Sequence, residues 1–281
     1  MRIDAHHHFW RYTPDEFGWI DESMQAIRRD FGPSDLKAVL DASGVDGAVA
    51  VQARQSLEET AWLLALAEEH DWMRGVVGWV QLVEANVDAV LAQIAANPKL
   101  VGVRHVLHDD PDDDYMLRED FSRGIRALKA HDLVYDILIF ERHLRQSLTF
   151  VDRHPNQAFV LDHVAKPRIE AGELEPWRMH IRALAERPNV TCKVSGMVTE
   201  ADWSTWTPEV LRPYWATVLE AFGPSRLMFG SDWPVCLVAS SYARWVETVQ
   251  SWMADLSADE QAQIMGGTAA RVYGLDTQEA A

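Results

Sequence analysis

Eight short runs rich in Val, Ile and Leu recur along the chain, at 2–9, 47–53, 74–82, 100–107, 133–140, 158–167, 190–196 and 226–234. Each has the length and β-branched content of a buried strand. Between them the apolar spacing becomes helical: Val87, Val90, Leu91 and Ile94 fall at i, i+3, i+4, i+7, as do Trp215, Val218, Leu219 and Phe222, and Trp245, Val249, Trp252, Met253 and Leu256 continue the pattern. Helix starts are marked by Ser56 with Glu59, Ser257 with Glu260, and Thr207 before Pro208. Strict alternation of strand and helix calls for a parallel sheet, and eight units in about 270 residues fit a closed (β/α)8 barrel better than an open doubly wound sheet. No glycine-rich phosphate loop follows the first run, and no linker or low-complexity tract interrupts the chain, so a single barrel domain is expected over 1–281.

Composition narrows the function classes. The formal net charge is −17, and acid clusters such as "HDDPDDDY" (108–115) oppose binding to nucleic acid, which needs clustered Lys and Arg. No membrane span or leader segment is expected. The two cysteines, Cys192 and Cys236, cannot form a disulfide framework and carry no neighbouring base, so a reducing compartment, the cytoplasm, and no thiol chemistry are expected. The partner expected is a small molecule; a homo-oligomer is compatible with this composition.

Active sites of (β/α)8 barrels collect where the strands end. Those ends carry His6 and His8 on the first strand, Arg104 and His105 on the fourth, Asp162 and His163 on the sixth, and Asp232 on the eighth. The stretch "DAHHHFW" (4–10) is no tag remnant, because Ile3, Phe9 and Trp10 enclose it within a strand. Strand side chains alternate, so His6 and His8 face one side and His7 the other, where it is structural. With His163 and Asp232 they make a mixed imidazole and carboxylate set suited to one divalent ion such as Zn²⁺. Asp232 and His163 are the expected catalytic residues, the carboxylate as a general base toward water. Arg104, with His105 beside it, is expected to meet substrate polar atoms, and Trp10 and Trp233 to offer flat faces to a ring. Lys193 falls two residues before Ser195 on the seventh strand and is placed on the barrel side; neither it nor Asp136 on the fifth is given a role.

The motifs "DAHHHFW", "VLDHVAKP", "CKVSGM" and "MFGSDWPV", in this order over nearly the whole chain, resemble the amidohydrolase superfamily (amidohydrolase-related family 2) and, within it, the branch of sugar-lactone hydrolases. The resemblance implies hydrolysis of an aldonolactone by activated water, with the L-fucono and related L-galactono or D-arabinono configurations as the expected substrates. Binuclear members bridge their two metals with a lysine or glutamate on strand 4, where this chain has Arg104 and His105, and strand 5 lacks the histidine of many metal-dependent relatives. One divalent ion at most is implied, and since the branch includes lactonases that work without metal, the ion need not be essential. Two alternatives stand beside this expectation: a metal-dependent decarboxylase sharing the barrel and the early H-x-H, which would release carbon dioxide, and a sugar-acid binding barrel without turnover.

Overall fold

The computed structural model describes residues 1–276; residues 277–281, the end of the expected domain, lie outside the described residues. Eight parallel strands follow one another in sequence order around one sheet: β1 (Ile3–His7), β2 (Gly47–Val51), β3 (Met73–Gly78), β4 (Leu100–Val106), β5 (Val134–Leu138), β6 (Phe159–Leu161), β7 (Val190–Val194) and β8 (Leu227–Phe229). The helices between them are α1 (Pro33–Ser43), α2 (Leu57–Glu69), α3 (Val87–Ile94), α4 (Glu119–Ala130), α5 (Leu144–Arg153), α6 (Trp177–Ala185), α7 (Pro208–Phe222) and α8 (Tyr242–Trp252). The expected (β/α)8 barrel is thus the observed fold, with each strand shorter than its apolar run because the flanking residues turn into the loops. Among the described residues no helix is long and apolar enough to cross a membrane.

Local capping agrees with the sequence in part. Ser257 and Glu260 form a reciprocal capping box at α9 (Ala258–Ala262). Ser56 caps α2 by accepting from Glu59 N–H, but the Glu59 carboxylate turns instead to the backbone N–H groups of Ala53 and Arg54, at 3.0 and 2.7 Å. Thr207 precedes the first turn of α7 in extended backbone without a side-chain cap. The apolar stripe of α8 runs past its end, so that Met253 and Leu256 pack beyond Trp252.

The barrel ends its circuit through backbone bonds past the short β8: Asp232 N–H donates to His6 C=O at 2.8 Å, and His8 N–H donates to Trp233 C=O at 2.7 Å. The segment carrying Asp232 is therefore tied directly to the segment carrying His6 and His8. The barrel interior has two layers. A lower one is aliphatic, with Ile3, Val49, Val134, Val160 and Met228, and is plugged by Tyr273 of α10 (Thr268–Tyr273) and by Leu275. Above it the interior is polar and ionisable: His6, Arg104, Asp136, Asp162 and Lys193 are all buried.

Candidate active site

The alternation of β1 needs one adjustment. Asp4 pairs with Ala48 but His7 pairs with Ala50, so β1 holds one extra residue at this point, a β-bulge. Ala5 packs in the inner aliphatic cluster, and its neighbour His6 also faces inward. From there the pleat resumes, with His8 on the cavity side. His7 lies outside against Phe9, ring centroids 4.6 Å apart, fully buried.

The structure brings His6, His8, His163 and Asp232 together. His6 Nε2 and His8 Nε2 face one another at 3.2 Å, and the Asp232 carboxylate stands 3.7 and 3.3 Å from them. His163 Nε2 is 3.9 Å from the same Asp232 oxygen. His8 Nδ1 is 2.8 Å from the Val51 carbonyl and must donate to it, which leaves the His8 Nε2 lone pair facing His6. Two imidazole nitrogens that close need a proton or a cation between them. Bond lengths of about 2.0–2.2 Å put tetrahedral metal donors about 3.3–3.6 Å apart, close to the spacing of His6, His8 and Asp232, so these three side chains fit a single divalent ion, with His163 beside them. A second group, His6 with Asp162 and His163, also lies within ligand reach and shares His6 with the first.

Burial keeps the His6 and His163 imidazoles neutral, the form that ligates or donates: His6 is pushed well below its ordinary range and His163 to about 3. Burial alone would raise the Asp232 carboxyl, but the facing His163, His8 and His6 hold it below the ordinary carboxylate range. His163 Nδ1 meets Ser195 Oγ at 2.9 Å. Because a hydroxyl both donates and accepts, His163 can present at Nε2 either a lone pair or an N–H.

Backbone strain holds these groups in place. Asp232 has φ +57°, and His163, Val164, Ala165 and Lys166 have φ of 53°, 48°, 61° and 46°, a left-handed turn of four non-glycine residues. Each such residue costs on the order of 1–3 kcal/mol, and such strain clusters at functional sites. Gly196 is required beside this turn: it has φ +63°, and a Cβ there would stand 2.6 Å from the His163 ring.

Beneath the site runs a buried ionic chain. Lys193 Nζ is 2.5 Å from Asp136 Oδ2, 3.0 Å from Asp162 Oδ1 and 3.2 Å from His6 Nδ1. Arg104 Nη1 is 3.0 Å from Asp162 Oδ2 and 3.3 Å from His6 Nε2, while its other terminal nitrogen donates to the Gln52 carbonyl. Two carboxylates thus face two cations. Burial would raise Asp162, but Lys193 and His6 outweigh it and hold the carboxyl well below its ordinary range; burial pushes Asp136 up to about 6 against the pull of Lys193.

A cavity of about 530 Å³ opens above, within the usual size of small-molecule sites of about 300–1,000 Å³. Its floor is His8, Arg104, His163 and Asp232. Arg104 therefore reaches the cavity, although both its terminal nitrogens are already bound to protein acceptors. Three expected substrate contacts lie elsewhere. His105 follows Arg104 on a stretch of β4 in regular register with β5, where side chains alternate, so it turns out beneath α4: its ring stacks on Tyr115 at 5.2 Å, and Trp79 Nε1 donates to its Nδ1 at 3.3 Å. Trp10 is buried, its Nε1 donating to the Arg29 carbonyl at 2.9 Å, and Trp233 is buried edge-on against Phe31 at 5.1 Å. The tryptophans that do line the cavity are Trp19 and Trp203, from loops. Lys166 and Glu200 also line it. Lys166 had a sequence signal in its spacing of three from His163 within "DHVAKP"; the loop tryptophans and Glu200 had none.

The amidohydrolase family model matches residues 3–275. Two L-fucono-1,5-lactonases are similar over almost their whole length: that of Burkholderia multivorans (strain ATCC 17616 / 249) is 42% identical, with 98% of this chain and 96% of that one covered. That of Burkholderia ambifaria (strain ATCC BAA-244 / DSM 16087 / CCUG 44356 / LMG 19182 / AMMD) is 40% identical with the same coverage. A crystal structure of an amidohydrolase from Burkholderia multivorans with bound Zn superposes with a TM-score of 0.93 at 42% identity, covering 98% of this chain and 100% of that one. With a family model spanning its barrel from the first strand to the closing helix, the chain belongs to the amidohydrolase family.

Proposed function

We propose that this protein is a lactone hydrolase of the cytoplasm that opens L-fucono-1,5-lactone, or an aldonolactone of related L-galactono or D-arabinono configuration, to the free sugar acid. The observation that carries the reading is the end-to-end likeness to L-fucono-1,5-lactonases in a chain whose cavity floor gathers His8, His163 and Asp232. The proposed partner is this small lactone; a net charge of −17 argues against nucleic acid, and a homo-oligomer is compatible with the reading.

The donor set of His6, His8 and Asp232, with His163 beside it, would hold one divalent ion, Zn²⁺ in this proposal. When bound, such an ion polarises a carbonyl or makes water more acidic. The chain's own groups do the rest. Asp232 accepts a proton from water as the water oxygen bonds to the lactone carbonyl carbon. His163, neutral and backed by Ser195, donates its Nε2–H to the resulting oxyanion. Collapse breaks the ring C–O bond, and protonated Asp232 returns its proton to the departing alkoxide. One water is consumed and Asp232 is again a carboxylate.

The test is a pH-indicator screen of aldonolactones, with folded protein confirmed by circular dichroism, run with and without a chelator. Acceleration of L-fucono-1,5-lactone opening above background is expected. No acceleration of any aldonolactone would remove the assignment, and carbon dioxide release from an aromatic acid would replace it with the decarboxylase.

A further inference from the structure

The floor of the cavity carries the proposed chemistry, and its wall has no task in it. Part of that wall is an ion pair, Lys166 Nζ to Glu200 Oε1 at 2.6 Å, with side chains only 17% and 18% exposed. Both partners ride on segments that also build the site. The left-handed turn His163–Lys166 is closed by Lys166 N–H donating to His163 C=O at 2.8 Å, so the turn that aims His163 at Asp232 also puts Lys166 over the cavity. Glu200 follows β7 shortly after Gly196, the glycine whose missing side chain makes room for the His163 ring.

The pair is not saturated. Lys166 carries three N–H donors, and Glu200 is its one hydrogen-bond acceptor among the described residues. The second Glu200 carboxylate oxygen has no hydrogen-bond donor among the described residues. Flat apolar surface stands beside them: Lys166 Nζ is 5.7 Å from the Phe140 ring centroid, and Trp203 lines the same cavity. A carboxylate oxygen that accepts, an ammonium that donates and an aromatic face are together what a ring with adjacent hydroxyls requires: its O–H groups donate to the carboxylate, its oxygens accept from the ammonium, and its C–H face rests on the aromatic rings.

We propose that Lys166 and Glu200 are a hydroxyl-reading clamp that selects polyhydroxylated lactones over plain ones. This rests on the lactonase reading above and deepens it. If the pair instead merely ties two loops together, its loss affects every lactone alike.

The experiment compares L-fucono-1,5-lactone with δ-valerolactone, which has the ring ester and no hydroxyls, for the wild type, Lys166→Met, Glu200→Gln and the swapped double variant Lys166→Glu with Glu200→Lys. Turnover is read by proton release, and binding of the product L-fuconate by calorimetry. For each single variant a rise in KM and a fall in kcat/KM of about tenfold to a hundredfold on the hydroxylated lactone is expected, the worth of a hydrogen bond to a charged group. On δ-valerolactone the change is expected to stay within about threefold. L-fuconate binding weakens in parallel, and the swap does not rescue it, because donor and acceptor have changed places. Equal losses on both lactones, or rescue by the swap, would overturn the clamp. Wild-type protein that binds L-fuconate but turns over neither lactone would overturn the lactonase reading, with the clamp still read by whether the variants weaken that binding.

Discussion

Three successive histidines show how little residue type says without position. His6 and His8 stand among donors and acceptors, whereas His7, on the outer face of the same strand, rests against Phe9. The sharpest prediction at this scale concerns Asp232. Asp232→Asn keeps the shape and a possible oxygen ligand but removes the proton acceptor. Turnover is expected to fall by about a hundredfold to ten-thousandfold, roughly 3–5 kcal/mol of barrier, while L-fuconate binding survives. Steady-state kinetics and metal content, measured with and without added Zn²⁺, check this. If Zn²⁺ restores much of the rate, the role of Asp232 is ligation rather than proton transfer, and near wild-type turnover without it would remove Asp232 from the site. Strand-end position was a good guide to where Asp232 lies, beside His6, His8 and His163. Residue identity misled for Trp10 and Trp233, whose flat faces are spent on packing.

At the scale of elements, the closing segment of the chain matters more than its length suggests. Tyr273, at the end of α10, plugs the lower mouth of the barrel, and its hydroxyl stands 2.9 Å from each Asp136 oxygen. Asp136 in turn holds Lys193, which reaches His6. A hydrogen bond to a charged group contributes about 1.5–3 kcal/mol, so Tyr273→Phe is expected to lower unfolding stability by that amount, with an unchanged m-value in urea and with turnover retained at 25 °C. An unchanged denaturation midpoint would mean that this bond does not hold the plug. Helix positions and the Ser257 cap were readable from periodicity and spacing, since both depend on residues three or four apart. The plug was not readable, because nothing in "TAARVY" indicates which end of a barrel it will enter.

For the whole molecule, the test of the donor set is thermal. An ion that binds the folded state alone stabilises it by about 2.7 kcal/mol at a hundred times its Kd. In a protein of this size that is expected to raise Tm by about 4–5 °C. Added Zn²⁺ should give this rise in the wild type and lose most of it in His8→Ala, as read by differential scanning calorimetry. The same rise in both would place the ion outside the His6, His8 and Asp232 cluster. The sequence by itself determined the strand order, the barrel and the strand ends on which His6, His8, His163 and Asp232 lie, because alternation and helical periodicity are local and a (β/α)8 barrel converts strand ends into one shared face. Only the tertiary structure decided the rest: the bulge that brings Ala5 and His6 to the same side, the Lys193 contact with His6 across 187 positions of chain, and the choice of Trp19 and Trp203 over Trp10 and Trp233 at the cavity. Each of these depends on register and on partners brought close by barrel closure, and no pattern of neighbours within a strand or helix encodes them.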